Sequence, residues 1–215
     1  MITIKSFCFN PFYENTYVLF DETKQCIIVD PGCFEKREEE TLEQFVSSSR
    51  LTPEMLVNTH AHIDHVLGNN FVFKTYNLKP VLHRNEIKIL EAAPVIGAEW
   101  GIPVHPSPSP EKFLEEGDTV PFGNSSLKIL FAPGHSPGSI CLYSKEQSFI
   151  VSGDVLFRES IGRTDLPLGD HETLLQSIRE KLFSLPDETI VYSGHGPETS
   201  IGYEKQFNPF VGVNA

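Results

Sequence analysis

Five of the eight histidines and two of the eight aspartates of this chain fall in four short motifs. These are Thr59-His60-Ala61-His62-Ile63-Asp64-His65, Gly134-His135-Ser136-Pro137-Gly138, Ser152-Gly153-Asp154 and Ser193-Gly194-His195-Gly196. Imidazole and carboxylate groups gathered in this way are ligands for zinc, iron or manganese. His60 and His62 stand two apart, so in extended chain they point to one side and can grip one metal together. Asp64 and His65 follow where the chain turns into a helix, and face a second position. His135 would complete the first position and His195 the second, while Asp154 can bridge with its two oxygens. The expected cofactor is a pair of divalent ions roughly 3.5–4 Å apart, a known hydrolytic device. Zinc is the first choice, and iron or manganese would also suit. Two such ions outweigh two carboxylates and a hydroxide by about one charge, so the centre keeps its Lewis acidity. Closed structural zinc sites favour thiolates, and no cysteine lies in any of the motifs. The first motif alone arises by chance in on the order of one such chain in a few thousand.

Each motif follows an apolar, strand-like run, and loops at strand ends on a rigid scaffold are where catalytic groups belong. Strands are expected over 2–9, 16–20, 25–30, 53–58 and 80–82, then over 127–131, 140–143, 148–152 and 189–193. Helices are expected over 35–48, 66–74, 84–98 and 171–184, with a last helical turn at 202–207. Strand clusters followed by a helix, twice over, predict two packed sheets with helices outside, in a single domain over 1–215. The stretch 103–110 holds four prolines and must be a loop, either a lid or a surface connection.

The chain has 215 residues, 40% hydrophobic and 21% charged, which suits one globular domain with a real core. A net charge of −12 opposes polyanions, so nucleic acid is not an expected partner. No apolar run approaches the roughly 18 residues of a membrane span. The first residues lack the basic and apolar regions of a secretory signal, so a cytoplasmic place is expected. Nothing points to a protein partner. Cys8, Cys26, Cys33 and Cys141 form no scaffold pattern and fit a reducing compartment. Cys8, Cys26 and Cys141 lie in apolar runs and are expected to be buried, whereas Cys33 follows a turn and is expected to be partly exposed.

At the motif residues the chain resembles the metallo-β-lactamase superfamily, over essentially its whole length. The resemblance implies an α/β (α+β) fold, the αββα four-layer sandwich, with two internally similar halves and the metals at one edge of the sheets. It also implies His60, His62 and His135 on one metal, Asp64, His65 and His195 on the other, and Asp154 between them. Within the superfamily the chain is similar to glyoxalase II, the hydroxyacylglutathione hydrolases, in their short bacterial form. The segments that carry this are Ile28-Val29-Asp30-Pro31-Gly32, Ile161-Gly162-Arg163-Thr164-Asp165 and Gly194-His195-Gly196-Pro197-Glu198-Thr199, followed by Asn208-Pro209-Phe210. That likeness implies hydrolysis of a small-molecule thioester such as S-D-lactoylglutathione, by a metal-bound hydroxide held by Asp64 and Asp154. A thiolate with a free pKa of roughly 8.5 leaves without a strong general acid. Longer glyoxalase II enzymes carry a C-terminal helical domain with glutathione contacts. This chain stops at Ala215, which leaves the thiol open.

Outside the motifs, Arg163 could hold a substrate carboxylate by a bidentate contact. An ion pair with Asp165 or Asp170 is the simpler reading. Asp30 is expected to order the ligand loop from behind. His83, His105 and His171 fall outside the motifs and are not expected to be ligands. The main rival function is a persulfide dioxygenase with one iron on His60, His135 and Asp154. A lactonase would share all seven ligands. A β-lactamase is disfavoured by the lack of a cysteine ligand, and an RNA-processing nuclease by charge and length.

Overall fold

Burial alternates along the strands in a way that decides the layering. In the computed structural model, which describes residues 1–213, Ile27 and Val29 face one buried side while Cys26 and Ile28 face another. Ile140 and Leu142 are set against Cys141 and Tyr143 in the same manner. A strand buried on both faces must lie between two layers.

The first sheet holds β1 (Thr3–Phe9), β2 (Glu14–Phe20), β3 (Gln25–Val29), β4 (Thr52–Val57), β5 (Pro80–Leu82) and β6 (Lys112–Phe113), side by side in chain order. Its first three strands are antiparallel and the rest parallel. The second half supplies β7 (Thr119–Phe122), β8 (Ser125–Phe131), β9 (Ile140–Ser144), β10 (Phe149–Gly153), β11 (Leu156–Phe157), β12 (Ser160–Ile161), β13 (Ile190–Ser193) and β14 (Thr199–Ser200). Six of these form the second sheet, ordered β14-β13-β10-β9-β8-β7, and β11 pairs with β12 apart from it. Leu19, Val57, Phe122, Ile129 and Val151 fill the space between the sheets.

Among the described residues six α-helices accompany them: α1 (Lys36–Ser48), α2 (Ile63–Val66), α3 (Asn69–Tyr76), α4 (Ile87–Glu99), α5 (His171–Ser177) and α6 (Ile201–Phe207). Leu42 and Val46 of α1 and Val72 of α3 cover the first sheet, and Leu174 and Leu175 of α5 cover the second. A capping box between Glu35 and Glu38 starts α1. The architecture is the expected αββα sandwich. Among the described residues no helix is long and apolar enough to cross a membrane.

The elements differ from expectation at identifiable places. The helix expected over 66–74 breaks at Gly68, whose N–H donates to the Pro31 carbonyl at 2.7 Å and whose Cα abuts Cys33, leaving no room for a Cβ. That contact also explains why Cys33 is buried and not partly exposed. Cys8 is exposed, because β1 lies at the edge of its sheet and turns this residue outward. The helix expected over 171–184 keeps α geometry to Ser177 and then widens over Ile178–Leu182. β7 is an edge strand carrying Pro121, a residue that masks a strand in sequence. In the proline-rich loop, Pro106, Pro108 and Pro110 share a small groove with Ile87, Leu90 and Pro94 of α4, on the surface and away from the four motifs.

Topology explains how the motifs meet. β9 reverses direction between β8 and β10, and β10 runs parallel to β13. The carboxyl ends of β8, β10 and β13 therefore share one end of the sandwich. The motif after β4 joins them from the other sheet, where the Ile140 N–H donates to the Thr59 carbonyl at 2.9 Å. At the opposite end, where β8 begins, buried Asp21 accepts from Thr23, Asn124 and Ser125 and ties the sheets together.

Candidate metal centre

The loops that carry the motifs need glycine where backbone crowds the site. Gly134 has φ of +133° and lies against the backbone of Leu174, which sets the turn before His135. At Gly194 a Cβ would collide with Asp154 Oδ1 and approach the His65 ring, so the chain itself forms part of the site wall.

The structure brings all seven motif residues together. One nitrogen each of His60, His62 and His135 lie within 4.8 Å of one another. His135 Nε2 is 2.8 Å from His62 Nδ1 and 3.3 Å from His60 Nε2. Asp64, His65 and His195 form a second such group. There, His195 Nε2 is 3.1 Å and His65 Nε2 is 3.6 Å from Asp64 Oδ2. Asp154 stands between the groups. Its Oδ1 faces His65 Nε2 at 3.4 Å, and its Oδ2 faces His135 Nε2 at 3.5 Å and His195 Nε2 at 3.6 Å.

The donor set suits cations. His65 Nε2 and Asp154 Oδ1 are buried with no hydrogen-bond partner, and each such atom costs about 1–3 kcal/mol unless something satisfies it. The ring atoms turned away from the cluster are held. His65 Nδ1 donates to Asp30 Oδ2 at 3.0 Å, His135 Nδ1 to the Arg163 carbonyl at 2.7 Å, and His195 Nδ1 to the Phe12 carbonyl at 3.1 Å. Protons placed there leave the Nε2 lone pairs facing inward, as metal ligation requires. Asp30 also accepts from the Thr59 N–H at 2.7 Å, so it grips the ligand loop at both ends. Its φ is +48°, a strained value for a residue other than glycine.

Electrostatics prepare the His60, His62 and His135 group for the same state. Burial, reinforced by its histidine neighbours, pushes the His60 imidazole well below its ordinary value. His62 is pushed down to about 3, by burial first and then by His135. Burial would raise the Asp64 and Asp154 carboxyls, but His65 and the other imidazoles outweigh it and hold both below the usual carboxylate range. His60, His62 and His135 are so held neutral and both carboxylates ionised, the forms that bind metal. Burial would lower His65 and His195, but Asp154 and Asp64 outweigh it and raise both, so that metal binding there displaces protons.

Two buried carboxylates near the site escaped the sequence reading. Glu86, just before α4, accepts from the Ala61 N–H at 2.8 Å with one oxygen. Its other oxygen accepts from the Ser136 hydroxyl at 2.5 Å and the Gly138 N–H at 2.6 Å, so it staples two ligand loops together. Glu14 is fully buried, with Oε1 unpaired and 3.9 Å from His65 Nδ1, and burial pushes its carboxyl well up. Arg163 makes a bidentate pair with Asp165 through two 2.7 Å bonds, both side chains exposed. His83 stacks on Phe131 and accepts from the Asn85 N–H, away from the centre.

A cavity of about 810 Å³ opens over the cluster, with His62, Asp64, His135, Asp154 and His195 in its lining. A family model of the metallo-beta-lactamase superfamily matches residues 9–195. The probable metallo-hydrolase YqgX of Bacillus subtilis is 42% identical over 202 residues, covering 94% of this chain and 93% of the relative. Hydroxyacylglutathione hydrolase GloC of Haemophilus influenzae is 37% identical over 203 residues, covering 93% of each. Among solved structures, TTHA1623 in a di-iron-bound form matches with a TM-score of 0.86 at 36% identity, over 96% of this chain and 99% of that one. By its fold, its motif loops and these matches, the chain belongs to the metallo-beta-lactamase superfamily.

Proposed function

We propose that this metallo-hydrolase cleaves thioesters of the hydroxyacylglutathione kind, such as S-D-lactoylglutathione. In this reading His60, His62 and His135 hold one divalent ion, Asp64, His65 and His195 hold a second, and Asp154 lies between the two. The observation that carries it is Asp154, whose two oxygens face the two histidine groups while Oδ1 has no other partner. The 37% likeness to GloC supports the thioester as substrate. Zinc is the first choice of metal, and the di-iron form of TTHA1623 supports iron as an alternative. The free thiols suit a reducing, cytoplasmic setting.

Two such ions held by these residues would supply a water of lowered pKa and polarisation of an acyl carbonyl. The chain's own groups do the rest. Asp64 and Asp154 stay ionised and accept hydrogen bonds from the water that attacks. Asp30 and the carbonyls of Phe12 and Arg163 keep the imidazoles aimed. A thiolate departs unaided, so the site needs no protonated acid beside the sulfur.

A dioxygenase is the second reading, favoured by one geometric fact. His60, His135 and Asp154 form a compact two-histidine, one-carboxylate face, with 3.3 and 3.5 Å separations at His135 Nε2. The test is hydrolysis of S-D-lactoylglutathione, with metal content measured on the same sample. Hydrolysis with about two metals per chain is the expected result. One iron per chain, no hydrolysis and oxygen uptake with glutathione persulfide would replace the thioesterase reading.

A further inference from the structure

The cavity over the metal cluster has walls that the hydrolytic centre does not explain. α4 offers Ile89, Ala92, Ala93 and Ile96 to it, positions that share one helical face, and Trp100 follows directly after the last helical residue. The segment after Asp154 supplies Phe157, Ile161, Leu166 and Leu168. Phe12 and Trp100, both in the lining, touch each other with ring centroids 6.0 Å apart. Leu168 and Trp100 are 59% and 49% exposed, far more open than the apolar residues between the sheets. A volume of about 810 Å³ with a largely apolar lining is the kind of space that encloses a drug-sized ligand.

Charge narrows the occupant. Lys88 and Arg163 are the cationic side chains in the lining, and the Arg163 guanidinium is already taken by Asp165. Glu99 shares the wall, and the chain carries a net charge of −12. Away from the metal cluster an anionic group therefore finds little to hold it, whereas a hydrocarbon finds apolar surface. The same cavity reaches the metal cluster, so a carbonyl placed there directs its attached chain along these walls.

We propose that the cavity holds the hydrocarbon chain of an aliphatic acyl group, and that among simple acyl thioesters kcat/KM rises from acetyl to chains of medium length. The substrate half of this rests on the thioesterase reading; the binding half does not. The occupant is a flexible alkyl chain whose carbonyl end lies at Asp154 and whose methyl end lies toward Trp100.

Trp100 is the sole tryptophan of the chain, so intrinsic fluorescence reads occupancy directly. Metal-loaded protein is titrated with straight-chain alkanoates from butanoate to dodecanoate. Affinity should rise about two- to fourfold per added methylene until the walls are covered, with a blue shift as the indole leaves water. In parallel, S-acyl-N-acetylcysteamine thioesters from acetyl to decanoyl should show kcat/KM rising with the same slope. Ala92→Phe, which fills part of the cavity, should lower the octanoyl-to-acetyl ratio of kcat/KM at least tenfold.

A Trp100 response that grows with chain length, without turnover of any thioester, would keep the alkyl site and remove the thioesterase reading. Rapid turnover of S-D-lactoylglutathione with no chain-length slope in either measurement would do the reverse. If the protein elutes as a dimer and Trp100 ignores every alkanoate, the walls belong to a contact between two copies and the proposal falls.

Discussion

The two ends of the sandwich are built from similar groups and differ in whether those groups are satisfied. At one end, buried Asp21 has every near donor engaged: the N–H and hydroxyl of Thr23, the N–H of Asn124 and the hydroxyl of Ser125. At the other end, Asp154 and His65 keep buried atoms without a partner although donors and acceptors crowd around them. Both carboxylates join elements of the two sheets. One end is complete as protein, and the other leaves buried atoms of a kind that cations would satisfy. A buried polar group that the fold leaves unpaired, within a framework that pairs the rest, marks function better than burial or charge does.

The contrast can be broken most forcefully at Asp154. Asp154→Ala should lose metal and lower hydrolytic turnover on the order of a thousandfold or more, as metal analysis and initial rates on one preparation would show. Retained metal with full turnover would remove the central role given to this residue. Asp30→Asn should weaken metal binding about 10–100-fold, because His65 loses the partner that orients its ring. A competitive chelator titration measures that.

Asp21→Ala probes the satisfied end. It should cost about 1–3 kcal/mol of unfolding free energy, since four donors lose their acceptor, and leave metal content unchanged. The same residue predicts acid sensitivity. Burial would raise its carboxyl, but the bonds from Thr23, Ser125 and Asn124 outweigh burial and hold it at about 2. Its folded value lies below the unfolded value of about 3.9. The stability it confers is therefore whole above that value and lost as pH falls toward about 2. Chemical denaturation of wild type and Asp21→Ala between pH 6 and pH 2 should converge at the acid end. The smallest effect is expected of Arg163→Ala, less than about threefold in kcat/KM, because an exposed ion pair contributes little. A loss of a hundredfold would give its guanidinium a substrate to hold.

The metal end was legible in sequence because its residues are polar, lie directly after apolar strands and keep a fixed spacing. Asp30 could be read from the turn it occupies. Glu86 could not: Arg84-Asn85-Glu86 looks like the solvated start of a helix, and only the folded chain brings Ala61 and Gly138 to that carboxylate. The cavity walls were illegible for a different reason. The face of α4 from Ile89 to Ile96 has the same apolar period whether it covers a core or lines a void. Of the architecture, the two sheets and their outer helices followed from strand clustering. The break at Gly68 depended on a contact with Cys33, a residue distant in sequence.

The two sheets contribute to the centre in unlike ways. The first sends a single loop after β4, which carries His60, His62, Asp64 and His65. The second sends His135, Asp154 and His195 from three separate strands, each useless without the others. The first contribution is portable text, a heptapeptide that could be copied into another chain intact. The second exists only as a closed sheet. A survey that counts the heptapeptide alone would therefore admit truncated or rearranged chains that can hold no pair of ions. The sounder signature is the distance-blind trio that follows it, read in order.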